Sequence, residues 1–266
     1  MTQVVIVIPC YNEAMRLNAR KFLQFASRHP RIRFVMVDDA STDQTLDVLR
    51  SLKSRNPAQF DVLPMASNGG KAEAVRHGLL HGFSQNPLAV GFWDADLATP
   101  LEAIPEMLQV IDRDPSINLV FGSRMPLLGR QIQRKPWRKK MGWLFATAAS
   151  RVLGLHVHDT QCGAKLIRVN RITQQVFADP FYSGWIFDVE LFARWLCLDG
   201  RTNPDSAYEF PLARWQDVDG SKLRVKDYFF AAVQLGSIWW RYRMSEWSPS
   251  SNQAVVFPIA STSKAA

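Results

Sequence analysis

The chain has 266 residues, 47% apolar and 21% charged, and its 32 basic and 24 acidic residues leave a net charge of +8. This globular balance excludes a wholly disordered, collagenous or coiled-coil chain, and the length is ample for a buried core. The basic surplus predicts an anionic partner: a nucleic acid, a membrane surface or a phosphorylated substrate.

The first 125 residues alternate between two periodicities. Short β-branched or aromatic runs predict strands at Val4–Ile8, Phe34–Val37, Phe60–Leu63, Ala89–Trp93 and Leu119–Phe121. Helical spacing fills the intervals Glu13–Ser27, Thr45–Leu52, Lys71–Phe83 and Leu101–Ile111. Continuous apolar strands alternating with helices predict an α/β sandwich with a mostly parallel, doubly wound sheet. Such sheets bind ligands beyond the carboxyl ends of their strands. Polar clusters stand at all five ends: Pro-Cys-Tyr-Asn-Glu (9–13), Asp-Asp-Ala-Ser-Thr-Asp (38–43), Asn-Gly-Gly-Lys (68–71), Asp-Ala-Asp (94–96) and Gly-Ser-Arg (122–124). Asn12 and Ser41 also suit helix N-caps, but capping does not call for two acidic pairs.

Asp94 and Asp96 stand two apart, so along an extended chain both face one side about 7 Å from each other. Two carboxylates there can converge on Mg²⁺ or Mn²⁺, which keep several waters and bind substrate diphosphates. The second pair, Asp38 and Asp39, can accept hydrogen bonds from a nucleobase or a ribose, and Tyr11 can stack on a base. Lys71 follows Gly69-Gly70 at a predicted helix start, a setting that suits a phosphate. It is not a Walker loop, and no G-x-G-x-x-G follows the first strand, which disfavours a dinucleotide oxidoreductase.

The second half differs. Residues 115–158 contain no acid but hold Arg124, Arg130, Arg134, Lys135, Arg138, Lys139, Lys140 and Arg151. Trp137, Met141, Leu144, Phe145, Ala148 and Val152 follow helical spacing, so the basic segment leads into an amphipathic helix. Trp185–Leu198 and Arg224–Arg243 also read as helices, and the Ser-, Ala- and Pro-rich tail beyond Ser248 reads as disordered. Cys10, Cys162 and Cys197 form no C-x-x-C pair, so neither a disulfide framework nor a zinc site is expected, and a reducing, cytoplasmic location is. No stretch reaches the roughly 20 apolar residues of a spanning helix, and no signal segment or membrane anchor is expected.

Taken in order, Pro9-x-Tyr11-Asn12-Glu13, Asp38-Asp39-x-Ser41-x-Asp43, Asn68-x-Gly70-Lys71, Asp94-x-Asp96 and Gly122-Ser123-Arg124 resemble inverting family 2 glycosyltransferases of the GT-A fold. Asp159-Thr160-Gln161-Cys162-Gly163-Ala164-Lys165, Trp185-x-x-Asp188-x-Glu190, and Trp215 with Gly220-Ser221-Lys222-Leu223 look like its polyprenyl-phosphate branch, nearest to the dolichyl-phosphate β-glucosyltransferases. The resemblance spans roughly residues 3 to 225. It implies a glycosyltransferase domain over 1–222, with a basic segment at 126–158 that faces the acceptor and the membrane, an amphipathic helix at 223–247 and a disordered tail at 248–266.

It further implies that Pro9, Tyr11, Glu13 and Asp39 line the base and ribose with Asp38 supporting, and that Lys71 meets a phosphate. By the same likeness Asp94 and Asp96 bind the metal and the diphosphate. Arg124 and Lys165 would face the acceptor phosphate or the departing diphosphate. Asp188 and Glu190 would lie near the sugar, with Asp188 the candidate if a base is used. Ala98 stands where mannosyl-transferring relatives often carry Gln, which favours UDP-glucose over GDP-mannose as donor. Ala72 replaces a common Gly after Lys71.

The expected reaction moves a hexose to a polyprenyl phosphate at the inner face of a membrane. Trp137, Trp143, Trp239 and Trp240 would sit at its anionic surface, unless Trp239 and Trp240 pack in the core or form an oligomer contact. The alternatives are a transferase with a soluble hydroxyl acceptor, a nucleotidyltransferase that lacks its Gly-rich loop, and a nucleic-acid-binding module. The last leaves both acidic pairs unexplained, so no nucleic-acid partner is expected.

Overall fold

The computed structural model describes residues 4–200, 203–218 and 225–244. The expected tail beyond Ser248 lies outside them. Seven strands form one sheet: β1 (Val4–Cys10), β2 (Ile32–Asp38), β3 (Phe60–Pro64), β4 (Ala89–Trp93), β5 (Leu119–Ser123), β7 (Ala164–Arg168) and β8 (Ala207–Pro211). Their order is β3-β2-β1-β4-β7-β5-β8. All pairings are parallel except those of β7, which runs antiparallel to both β4 and β5. A two-stranded parallel sheet joins β6 (Gln131–Gln133) to β9 (Arg214–Gln216).

The side chains of β1 alternate between two layers. Val4, Ile6 and Ile8 face α1 (Ala19–Arg28), α2 (Thr45–Arg55) and α4 (Ala103–Arg113). Val5 and Val7 face the layer built from α3 (Gly70–Phe83), α5 (Pro136–Leu153), α6 (Arg171–Val176), α7 (Phe187–Trp195) and α8 (Val225–Ile238). This double burial explains why β1, β2 and β4 read as unbroken apolar runs. Helix α3 lies directly on β1: a Cβ at Gly78 would stand 2.3 Å from a Val7 methyl, so only glycine permits the approach.

Some boundaries differ from the sequence reading. Residues 13–18 form turns, and α1 begins only at Ala19, where Asn18 caps it by accepting from the Lys21 N–H at 3.0 Å. Asn12 and Ser41 cap no helix. The Asn12 N–H donates to Ser41 Oγ and its Oδ1 accepts from the Thr42 N–H, which ties the β1 and β2 loops together. Helix α5 starts with Pro136 and ends at Gly154, whose φ of +67° is a left-handed cap. π-helical turns extend α7 over Leu196–Gly200 and α8 over Trp239–Met244.

The chain crosses from one half of the sheet to the other between β1 and β4, which places the expected crevice at their carboxyl ends. Since β7 is antiparallel, its first residues lie at that same rim, with Ala164 opposite Trp93. The segment before β7 therefore reaches the crevice together with the segments after β1, β4 and β5.

Candidate active site

A cleft of about 1150 Å³ opens at this rim. Of the residues singled out in the sequence, Glu13, Lys71, Asp94, Asp96, Arg124 and Asp188 line it together. Leu97, just past the acidic pair, has a φ of +55°, a strained conformation of a kind that concentrates at functional sites. It closes a tight turn in which the Leu97 N–H donates to Asp94 O and the Ala98 N–H to Asp96 Oδ1 at 3.0 Å.

Asp94 is held from two sides. Its N–H donates to Gly163 O at 3.1 Å, and its carboxylate lies so close to Gly163 that a Cβ there would fall 1.9 Å from Oδ2. Lys71 Nζ lies 2.5 Å from Asp94 Oδ1. Burial lowers the Lys71 pKa, but Asp94 and Asp188 outweigh it, so the ammonium stays charged. Burial raises the Asp96 carboxyl pKa and Asp94 raises it further, against the Ala98 N–H and the cations Arg16 and Lys71.

Two carboxylates in a cleft, beside an apolar Ala98, make an all-oxygen donor set that fits Mg²⁺ or Mn²⁺. Among the described residues no group of three or more His, Cys, Asp or Glu side chains could hold an ion. A cation held there would take the rest of its shell from water and substrate oxygens, as hard divalent cations commonly do.

Arg124 is fixed by Asp159 in a two-point contact, Nε to Oδ2 at 2.6 Å and Nη2 to Oδ1 at 2.7 Å. Burial raises the Asp159 pKa, yet the guanidinium more than reverses this and holds it below the usual carboxylate range. Asp159 is itself seated by Glu209, which accepts from the backbone N–H groups of His158 and Asp159. Trp215 lies under both Arg124 and Arg134, whose charged carbons stand 5.2 and 5.8 Å from its ring.

Other expected residues lie elsewhere. Tyr11, Asp38 and Asp39 stand at the ends of β1 and β2 and Pro9 within β1, all outside the cleft lining. Asp39 accepts from the Gly69 and Gly70 N–H groups at 2.7 and 2.9 Å, which sets the start of α3 and hence Lys71. Burial raises its pKa, the two amides lower it and Asp38 adds to the rise.

Two positions correct the sequence reading. Lys165 faces no open phosphate site: it is fully buried, and Nζ bonds Thr160 O, Cys162 O and Asp188 Oδ1 at 3.1, 2.8 and 2.6 Å. Glu190 is equally buried and lines no cleft; it accepts from the Tyr182 and Ser183 N–H groups, Arg194 and the Tyr242 hydroxyl. Conversely, Arg16, Thr160 and Gln161 line the cleft without having been assigned a role. Arg16 pairs with Glu13, so the loop after β1 adds a cation beside the acidic pair.

The Glycosyl transferase family 2 profile matches residues 5–172. A dolichyl-phosphate beta-glucosyltransferase of Drosophila melanogaster is 30% identical, over 94% of this chain and 78% of the relative. A polyprenol monophosphomannose synthase of Mycolicibacterium smegmatis is 25% identical over 71% of this chain and 70% of its own length. Among solved structures, glucosyl-3-phosphoglycerate synthase of Mycobacterium tuberculosis, in complex with Mn²⁺, UDP and glucosyl-3-phosphoglycerate, has a TM-score of 0.63 at 17% identity. That likeness covers 90% of this chain and 79% of the other, and establishes the GT-A fold.

Proposed function

The chain belongs to glycosyl transferase family 2, and from that premise we propose that it moves a hexose, glucose first, from a nucleotide-diphosphate sugar to a polyprenyl phosphate with inversion. One observation carries the reading: a single cleft sets the Asp94–Asp96 pair beside Lys71 and Arg124, with the basic, aromatic helix α5 as its wall. The curated relatives named above support the choice of lipid-phosphate acceptor.

On this reading Asp94 and Asp96 hold a divalent cation, and Tyr11, Asp38 and Asp39 flank the nucleoside from the ends of β1 and β2. When bound, the cation neutralises charge that builds on the departing diphosphate. Lys71 and Arg124, already fixed by carboxylates, offer preorganised positive charge to phosphate groups. A phosphate monoester has a second pKa near ~6, so the nucleophile is largely ionised at neutral pH and needs no strong base. Asp188, tied to Lys165, then serves as a wall of the cleft. Incubation with labelled UDP-glucose, GDP-mannose and other sugar nucleotides plus polyprenyl phosphate should carry the UDP-glucose label into the organic phase. Label that enters only water-soluble products would refute the lipid acceptor.

The same reading places the protein on an anionic membrane surface. Among the described residues no helix is long and apolar enough to cross a membrane. Trp143 and Trp240 are 67% and 68% exposed, Trp137 and Trp239 are also exposed, and Leu128, Phe230 and Val233 add to them. Trp239 and Trp240 are thus not core residues. Lys139 and Lys140 stand exposed on α5, the helix that also carries Trp137 and Trp143, and each such cation near an anionic surface contributes about 1 kcal/mol. Flotation with anionic vesicles should therefore succeed at low salt and weaken at high salt. Replacement of Lys139 and Lys140 by alanine should weaken it further, and absence of binding at low salt would remove the membrane from the reading.

A further inference from the structure

The loop over residues 159–163 is held more tightly than a connection requires. The Asp159 carboxylate grips Arg124 and also accepts from the Gln161 N–H at 3.2 Å. Thr160 O and Cys162 O both accept from the buried Lys165 ammonium, Cys162 Sγ lies 3.8 Å from Thr99 Oγ1, and Gly163 O accepts from Asp94. The backbone carbonyls of Thr160, Cys162 and Gly163 are thus spent inward. Two side-chain groups are not: Thr160 Oγ1 and Gln161 Nε2 are buried atoms without a hydrogen-bond partner among the described residues, and both residues line the cleft. Thr160 as a whole is only 1% exposed.

A buried polar group left unpaired costs about 1–3 kcal/mol, so two in one rigid loop call for a ligand that pairs them. The chemistry of the pair narrows that ligand. An amide N–H donates, a threonine hydroxyl donates and accepts, and neither carries charge. Among the charged groups of the cleft, Lys71, Arg124 and the acidic pair suit phosphates and a cation. A neutral amide and hydroxyl beside them suit the uncharged, hydroxyl-bearing part of the same substrate. We propose that Thr160 and Gln161 bind hydroxyls of the transferred hexose, so that residues 159–163 form the loop that selects the sugar. The inference rests on the nucleotide-sugar reading above and adds the residues that discriminate among donors.

It also gives the buried Lys165 a purpose. With its Nζ on two loop carbonyls and on Asp188, it fixes the loop without touching the sugar. Preorganisation of this kind lets a hydrogen-bonding site reject a substrate that lacks the matching hydroxyl.

The test compares binding of UDP, UDP-glucose and UDP-glucose analogues that lack one hydroxyl, by calorimetry in Mg²⁺. Thr160→Val and Gln161→Leu should each leave UDP affinity within about twofold and weaken UDP-glucose by about tenfold, the net worth of one hydrogen bond. One deoxy analogue should show a similar loss in the wild type and no further loss in the matching variant. Equal losses for UDP and UDP-glucose, or unchanged UDP-glucose binding in both variants, would overturn the proposal. Should a variant fail to fold, the wild-type series decides: if every deoxy analogue binds as UDP-glucose does, the proposal is wrong. A wild type that binds no nucleotide sugar overturns the functional reading and this inference together. A wild type whose preference for UDP-glucose over UDP survives both substitutions overturns the inference alone.

Discussion

Asp96→Asn is expected to lose about three orders of magnitude in kcat with Mg²⁺ or Mn²⁺, while its thermal stability without metal holds or rises. The first half follows from the donor set. The proposed cation site rests on two carboxylates, so loss of one removes a stabilisation of several kcal/mol on the leaving diphosphate, and each 1.36 kcal/mol is about tenfold in rate. The second half follows from the electrostatics. Burial and the neighbouring Asp94 raise the Asp96 pKa. A carboxyl whose pKa is raised by folding favours the folded state in its protonated form. Its charged form costs stability at neutral pH, and that cost fades as pH falls through the folded value. Asparagine removes the charge and with it the cost. Wild-type protein should therefore gain melting temperature on addition of Mn²⁺ with UDP, and Asp96→Asn should gain little. Full turnover in the variant, or in excess chelator, would defeat the metal assignment.

Legibility in the sequence tracked burial and periodicity. Strands β1 to β5 were readable because each is a continuous apolar run closed by polar residues, and α2 to α4 because their apolar faces recur at helical spacing. Strand β7 was not, since Ala-Lys-Leu-Ile-Arg places a lysine in a buried position and reads as a motif before it reads as a strand. The short strands β6 and β9 carry only three residues each and leave no periodic signal. The acidic pair after β4 was legible because parallel strands deliver their ends to one rim. The loop before β7 was legible as chemistry but not as geometry, because it arrives at that rim from the start of an antiparallel strand. Nor could the sequence show that Asp39 also sets a helix start. That depends on where α3 begins, and the Asp39 carboxylate accepts from the Gly69 and Gly70 N–H groups there.

Lys165 shows what such a misplacement hides, and it supports the second large effect. Along β7, Ala164 and Leu166 point to one layer, while Lys165 and Ile167 point to the other. Lys165 therefore enters the layer of α7, between the rings of Phe92 and Phe192 at 5.3 and 6.0 Å, where Asp188 meets it. Both side chains are shut away from water, at 0% and 4% exposure. Removal of one partner from such a pair leaves an uncompensated buried charge and costs about 3–5 kcal/mol. Lys165→Met should thus lower the melting temperature by roughly 6–20 °C at this chain length. Replacement of both residues, Lys165→Met with Asp188→Leu, should recover part of that loss, because no lone charge remains. A lysine that met a phosphate in the cleft would behave otherwise: its loss would leave the melting temperature alone and lower only turnover. The double variant separates the two further. It regains stability without regaining the ammonium on the Thr160 and Cys162 carbonyls, so it should fold, bind UDP and still discriminate poorly between UDP-glucose and UDP.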